Sequence, residues 1–495
     1  MSFLSERIEA NLDLDDGLSI EHQGEWVSRT ELNRMVRRLM TQFEAYDLPE
    51  GAPIAVVIRN HPPQVAAILA IWGSRRCLLI LNALMPDERL ASDIRKLRPP
   101  LILAEGADWA RPELRAAAAA IGAAGVELAA SFEAVPRPVE GLEHIAGRDF
   151  MPADPQIAVH MLSSGTTGTP KRIPLTHALL ERIQASMPPS DPGAPAQAPQ
   201  VQFVFGSLAH MMGVASMFGF VAANFPMALF EKFTIAEWRA AMARHKPTSV
   251  ALPPATMRMV LDAGVTPEEF AGVRLIRTGT APLPPELAQE MYRRYGVPIL
   301  ATYGATEFAG AVASWTVEDF NRYWKTHLGA GGRLHPGVEA RIVDIATGKT
   351  LGLDAEGVLE LRGPALGLQD WMRTTDRASF DVEGFLWIRG RADNAILRGG
   401  FKVHPDDVNA VLERHPAVRE AFVVGVPDER LGQVPVAAVI LNTGAQAAEE
   451  EIIGWAHERL LPYQTPVRVK IVDDFPRGLS FKPSGPGVQA LFLTD

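Results

Sequence analysis

One cysteine, Cys77, occurs in the 495 residues of this chain. No disulfide can close within the chain, and the apolar run Cys77-Leu78-Leu79-Ile80-Leu81 predicts a buried structural thiol. Long basic runs are also missing. With 48 lysines and arginines against 58 acids, the net charge is −10, which excludes nucleic acid as the main partner. Anionic ligands must therefore find local cationic pockets. The opening residues Met1-Ser2-Phe3-Leu4-Ser5-Glu6-Arg7 lack the basic and apolar regions of a secretory leader, so cytoplasmic residence is expected. Formal charge is absent between Asp191 and Glu231, and Ala209 to Phe230 is long enough to span a bilayer. His210, Gly213, Gly219, Asn224 and Pro226 interrupt that stretch, so a buried helix followed by a strand is expected and no membrane span. His-Glu-x-x-His, Cys-x-x-Cys and Gly-x-Ser-x-Gly do not occur, which leaves zinc proteolysis and serine hydrolysis without support.

What is present describes an ordinary folded protein, with 47% hydrophobic and 21% charged residues. Ser28-Arg29-Thr30-Glu31 is a capping box, and Leu32, Met35, Val36, Leu39 and Phe43 form one helical face behind it. Strand patterns at Pro53–Ile58, Cys77–Leu81 and Leu101–Ala104 alternate with helical ones at Gln64–Trp72 and around Ala116–Ala120. Thr248–Leu252, Val273–Thr278 and Ile299–Tyr303 repeat the alternation, with Arg277 on an otherwise apolar strand. Pro188–Pro195 reads as a loop. The pattern predicts an α/β fold of layered, mostly parallel sheets and helices. Near Gly390 the texture changes: short strands at Phe385–Ile388 and around Val403, a helix at Pro405–Leu412, strands at Glu420–Val424, Val434–Leu441 and Val467–Val472, and a helix around Glu451–Leu460. These predict a small α+β unit, giving domains 1–391 and 392–495 with the boundary at Arg391–Asp393.

Chemistry concentrates first in Ser163-Ser164-Gly165-Thr166-Thr167-Gly168-Thr169-Pro170-Lys171. It follows the apolar strand pattern Ile157–Leu162 and precedes a helical pattern from Thr176. Gly165 and Gly168 free the backbone to turn N–H groups inward, hydroxyls surround them, and Lys171 adds a full positive charge. This composition suits an oxyanion such as a polyphosphate. The spacing differs from a Walker A loop, and Arg172 follows the lysine. Alone, the stretch also fits a Ser/Gly-rich surface loop. Four further stretches stand beside it: Thr278-Gly279-Thr280-Ala281-Pro282, Tyr303-Gly304-Ala305-Thr306-Glu307, Asp376 with Gly390-Arg391-Ala392-Asp393, and Lys482.

In this order and spacing the set resembles the adenylate-forming superfamily of acyl- and aryl-CoA ligases, adenylation domains and luciferases, from about residue 20 to about residue 485. The resemblance implies ATP, Mg²⁺ and coenzyme A as cofactors and a carboxylic acid as substrate. Ser163, Ser164, Gly165, Thr166, Thr167, Gly168, Thr169 and Lys171 would cradle the β- and γ-phosphates. Glu307 would help hold Mg²⁺, which prefers hard oxygen ligands, and Thr306 would contact the α-phosphate. Gly279, Thr280, Ala281, Tyr303 and Gly304 would line the adenine slot, and Asp376 with Arg391 would hold the ribose. Lys482 would bridge carboxylate and α-phosphate. Asp393 falls at the hinge about which a mobile C-terminal domain would swing, bringing Arg398-Gly399-Gly400-Phe401-Lys402 to the site. Gly399 and Gly400 would let a pantetheine arm approach, while Arg398 and Lys402 fit either CoA phosphates or ordinary surface charges.

For the acyl pocket, His210 matches a position at its mouth, with Met211, Gly213 and Phe308 as lining. Val214 and Ala309 are further apolar candidates, and Met212 reads as core. An apolar acyl or aryl group is expected. The Phe-Asp motif that holds a substrate amine is absent, Phe205-Gly206-Ser207 standing in that region. Two departures from the family pattern appear near the terminus: Phe481 replaces the usual glycine before Lys482, and Pro483-Ser484-Gly485-Pro486-Gly487 replaces basic residues. The reading is thus a CoA ligase, monomeric or homodimeric. Its alternatives are an enzyme that loads a carrier protein and a catalytically weak nucleotide- or acyl-adenylate-binding protein.

Overall fold

The computed structural model describes residues 3–493 except 15–16, 130–131, 133–134, 163–171, 187–200, 224, 400 and 478–481. Five sheets are formed among the described residues. In the largest, Arg137–Pro138, Ala124–Leu128, Leu101–Glu105, Pro53–Ile58, Cys77–Asn82, Ile157–Leu162 and Arg172–Thr176 lie side by side in that order. The inner pairs are parallel and the two outer ones antiparallel. Every residue of Pro53–Ile58 and Cys77–Asn82 is buried, as continuous apolar runs in a sheet covered on both faces should be. Cys77 is buried there, and burial pushes its thiol up to about 12.

Helices cover this sheet. The predicted capping box forms, with Ser28 and Glu31 satisfying each other's backbone N–H groups at the start of Arg29–Ala45. All five residues of its expected apolar face are buried. Pro62–Gly73 is buried on every side, consistent with a helix apolar all round. The uncharged stretch resolves into the helix Met211–Ala223 and the strand Met227–Leu229. Among the described residues no helix is long and apolar enough to cross a membrane.

In a second sheet Ser249–Ala251, Leu275–Thr278 and Ile299–Ala305 run parallel, then Gly310–Ser314 and Arg333–Leu334 continue it antiparallel. Arg277 lies half-buried on this sheet, and burial lowers its pKa. A third sheet, Glu339–Val343, Gly357–Gly363, Leu368–Phe380 and Leu386–Arg391, is antiparallel throughout. Only its last strand was expected, at Phe385–Ile388. The smaller fourth sheet joins Leu18–His22 and Glu25–Ser28 to Gln202–Val204 and Met227–Leu229.

From Ile396 the chain builds its own sheet, of Phe401–Val403, Ile396–Arg398, Gly432–Leu441 and Val418–Asp428, with Arg468–Ile471 beside Gly432–Leu441. Its two faces carry separate cores, because successive strand residues point to opposite sides. Val423, Ala437 and Val439 pack with Val408, Leu412 and Ile452 on one face. Val424, Val436 and Ala438 pack with Phe475, Val488 and Phe492 on the other. The architecture is the expected α/β assembly with a large first part and a smaller α+β part.

Candidate active site

The candidate site is built where the second and third sheets meet, Tyr303 of one touching Asp376 of the other. Ile299–Ala305 delivers Tyr303 and Gly304, and the short turn Thr306–Phe308 that follows carries Thr306 and Glu307. Gly304 admits no side chain: a Cβ there would lie 2.0 Å from the Gly310 carbonyl oxygen. The turn closes on Ala309 with φ +57°. On the neighbouring strand's exit Gly279 half-buries against Thr302, while Thr280 holds φ +69°. A β-branched residue in that region is a genuine outlier, and such strain collects at sites that need a fixed backbone. The exposed residues Thr280 and Ala281 therefore sit on a rigid rim.

Opposite stand Leu368–Phe380 and Leu386–Arg391, whose register sets Asp376 directly beside Arg391. The Tyr303 hydroxyl donates to Asp376 Oδ2 at 2.5 Å. Burial, and then the Asp376 charge, raises the Tyr303 phenol pKa, with Glu307 adding to it. Arg391 grips Asp393 with Nε and Nη2 at 2.9 and 2.8 Å and donates to Thr375 Oγ1 at 2.6 Å. The hydrogen bonding to Asp393 leads the causes that raise its guanidinium pKa, with Asp376 and Glu307 contributing.

Lys482 reaches the same place from the far end of the chain. Its loop is clasped at the base, where Arg477 bridges Pro483 and the Ser484 N–H donates to the Pro476 carbonyl at 2.7 Å. The side chain is open to solvent, yet protein crowds the ammonium. Burial of the charge lowers its pKa, the Arg391 cation lowers it further, and the Asp376 carboxylate opposes. Tyr303 and Arg391 thus feel the charges of Asp376 and Glu307, and Lys482 feels those of Arg391 and Asp376.

Near Tyr303, the Phe308 ring lies 6.4 Å away, centroid to centroid. Met211, Tyr303 and Phe308 belong to one apolar cluster, in which Phe308 and Ala309 are buried. His210 is half-buried immediately before the helix Met211–Ala223. Gly213 is required there, since a Cβ would come within 2.3 Å of the Ser207 carbonyl oxygen. Met212 packs against a second cluster that includes Phe205 and Phe230, as its core reading expects.

Several expected residues fall elsewhere. Ser163, Ser164, Gly165, Thr166, Thr167, Gly168, Thr169, Lys171 and Gly400 lie outside the described residues. The strands flanking 163–171, Ile157–Leu162 and Arg172–Thr176, pair antiparallel, with Leu162 opposite Arg172. A strand therefore precedes the helix His177–Ser186, where a direct entry into helix from Thr176 was expected. Arg398 resolves its two readings differently from either: its guanidinium donates to the Pro462, Tyr463 and Thr465 carbonyls. Lys402 is exposed, and Gly399 turns with φ +56° against Leu431.

Sequence reasoning missed Thr375 and Asp406. Asp406 accepts from the Arg391 N–H at 3.2 Å and crowds Gly390, whose φ of +116° leaves room for no side chain. Its only trace in sequence was an acidic first turn after Pro405.

With this geometry in place, comparison with known proteins is decisive. Residues 11–369 match the AMP-binding enzyme family, and residues 407–482 match the AMP-binding enzyme C-terminal domain. The chain belongs to the AMP-binding enzyme family. Among its relatives, 4-coumarate–CoA ligase-like 8 of Arabidopsis thaliana is 30% identical over 348 residues, 66% of this chain. That match spans only 61% of the relative's own length. The peroxisomal OPC-8:0-CoA ligase 1 of the same plant is 28% identical and matches 93% of this chain and 87% of its own. In fold, ATP-bound MatB from Rhodopseudomonas palustris superposes with a TM-score of 0.82 at 24% identity, over 100% of this chain and 99% of that one.

Proposed function

We propose that this family member is an ATP-dependent acid–thiol ligase that activates an apolar aliphatic or aromatic carboxylate and passes it to coenzyme A. The observation that carries this reading is Lys482, the last residue of the second matched segment, sharing its charge environment with Asp376 and Arg391. In the first half-reaction a carboxylate oxygen attacks the α-phosphorus of ATP. The acyl–oxygen–phosphorus linkage forms as the bond to pyrophosphate breaks. In the second, the thiol sulfur attacks the acyl carbon, AMP leaves, and the thiol proton passes to solvent.

Asp376 accepts hydrogen bonds from the ribose hydroxyls once they displace the Tyr303 phenol, whose ring then faces the base. Lys482 and Lys171 supply positive charge where negative charge gathers during displacement. Thr306 sits beside the α-phosphate, and Ser163 to Thr169 with Lys171 cradle the outer phosphates. Glu307 is exposed at the cleft with a hard carboxylate, a donor that fits Mg²⁺. Bound there, Mg²⁺ would neutralise phosphate charge. His210, Met211, Gly213 and Phe308 line the acyl side.

Domain 392–495 turns about Asp393, withdrawing Lys482 and presenting Gly399 and Gly400 to the thiol arm. Cytoplasmic residence belongs to the same reading.

Acid-dependent ATP–pyrophosphate exchange over a broad acid panel tests adenylation, and coenzyme A against a carrier protein tests the acceptor. Lys482→Ala is expected to abolish exchange while retaining thioester formation from a supplied acyl-adenylate. Equal loss of both, or no exchange with any acid while ATP still binds, overturns the reading.

A further inference from the structure

At the end of the Leu368–Phe380 and Leu386–Arg391 hairpin remote from Asp376 lies a second cluster of polar groups. Phe380 pairs with Leu386 there, whereas Asp376 pairs with Arg391 at the cleft end. His327 follows the helix Val317–Tyr323, and Asp381 and Glu383 occupy the hairpin turn. One ligand atom from each of the three falls within 4.8 Å of the others. His327 Nε2 stands 3.4 Å from Asp381 Oδ2 and 3.6 Å from Glu383 Oε2.

Those separations are long for N–H···O bonds, which favour about 2.7–3.2 Å. They suit the edges of a tetrahedron instead: metal–ligand bonds of about 2.0–2.2 Å place neighbouring donors about 3.3–3.6 Å apart.

The supporting contacts already orient the donors. His327 Nδ1 is paired with Thr326 Oγ1 at 2.7 Å, leaving Nε2 to face the carboxylates. Asp381 accepts from the Phe385 N–H at 2.9 Å through Oδ1 and from the Trp387 indole at 2.7 Å through Oδ2. Each oxygen keeps a further lone pair. Outer bonds of this kind fix the ligands of metal sites. The His327 ring is also held by Phe385 and Tyr323, at centroid distances of 4.7 and 5.0 Å. His327 and Asp381 are nearly buried, at 12% and 14% side-chain exposure, while Glu383 at 37% opens to solvent. An open groove of about 530 Å³ runs past Phe380, Asp381 and Gly384.

We propose that His327, Asp381 and Glu383 bind a divalent cation of the zinc class, with water completing the shell. One imidazole and two carboxylates make a borderline donor set that favours Zn²⁺ or Co²⁺ over Mg²⁺. The ion joins the turn after Val317–Tyr323 to the 381–384 turn. It is a structural site, separate from the nucleotide cleft.

The test uses the untagged full-length chain, stripped with chelator, titrated with CoCl₂ and then ZnCl₂. Calorimetry and the visible absorption of low-coordinate Co²⁺ are expected to report one ion per chain, displaced by Zn²⁺, with a higher melting temperature in Zn²⁺. Glu383→Gln, at the exposed ligand, is expected to weaken binding at least about tenfold, and His327→Gln to abolish the Co²⁺ spectrum. His457→Gln, elsewhere in the C-terminal part, leaves both unchanged. Absence of stoichiometric binding overturns the proposal, as does binding in Glu383→Gln equal to wild type. Should His327→Gln melt far below wild type without metal, Glu383→Gln alone decides.

Discussion

The Tyr303 hydroxyl occupies an oxygen of Asp376 that the proposed ribose contact needs. A nucleotide must exchange one hydrogen bond for another, so the two residues part company under substitution. Hydrogen bonds to a charged partner contribute about 1.5–3 kcal/mol, and Asp376→Ala is therefore expected to weaken ATP binding by about tenfold to a hundredfold. Tyr303→Phe keeps the ring and frees the carboxylate, so ATP binding is expected to hold or tighten. Calorimetric titration of ATP into both variants separates them, and equal losses would reject the exchange. Asp376 and Tyr303 were legible because each sits in a short motif whose order along the chain is distinctive. Thr375 and Asp406 were not. Their contacts with Arg391 depend on a strand register and an interface that no local pattern encodes.

Among the elements, Arg172–Thr176 comes directly after residues 163–171 in the chain. Arg172 sends Nη2 to Asp93 at 3.3 Å and Nη1 to the Ile80 carbonyl, tying Arg172–Thr176 to Cys77–Asn82 and to Asp93. Both side chains of the pair are mostly buried, at 16% and 11% exposure. Removing one member of a buried ion pair costs about 3–5 kcal/mol. Arg89 also lies 3.5 Å from Asp93 and softens the loss, which places Arg172→Met near the lower end. That variant is expected to melt earlier and to raise the KM for ATP. Lys171→Met should raise the KM with little change in melting temperature, and a loss of stability as large as that of Arg172→Met would contradict the division of labour. The strand itself escaped the sequence reading because Pro174 and the polar ends of the segment resemble a loop. A proline is tolerated there because the strand lies at the sheet edge. Leu368–Phe380 was hidden for a related reason: charged and polar residues interrupt its thirteen positions, and only Ala378, Arg377 and Ser379 are buried. The central parallel strands Pro53–Ile58 and Cys77–Asn82, apolar almost throughout, could be read directly, whereas Ala124–Leu128, with Gly125 and Glu127, could not.

Across the whole molecule, the C-terminal part is held against the rest by charges. Arg377 lies 3.4 Å from Asp407, and Arg419 lies 3.5 Å from Asp262. Glu413 follows the helix Pro405–Leu412; the residue is exposed, yet protein crowds its carboxyl, which is pushed up to about 7. Burial is the main cause, with Glu420, Glu286 and Asp406 adding repulsion and the Ala421 N–H opposing. Glu286 belongs to the Pro285–Tyr295 helix of the first part, so the repulsion crosses the interface. Arg419 and Arg477, at 3.9 and 3.7 Å from Glu420, moderate that residue's charge. A carboxyl with a raised folded-state pKa binds its proton more tightly in the assembled protein than in the unfolded chain. Its contribution is therefore harmless below the ordinary value of 4.5 and becomes a growing penalty as pH rises to about 7. Melting temperature should fall across that window in the wild type, and Glu413→Gln should flatten the fall while leaving the acid end unchanged. The same variant should hold the C-terminal part more firmly at alkaline pH. That firmer docking should appear as slower proteolysis around Asp393 at pH 8 than in wild type. If the two proteins melt in parallel across the whole range, the Glu413 carboxyl does not govern how the two parts stay together.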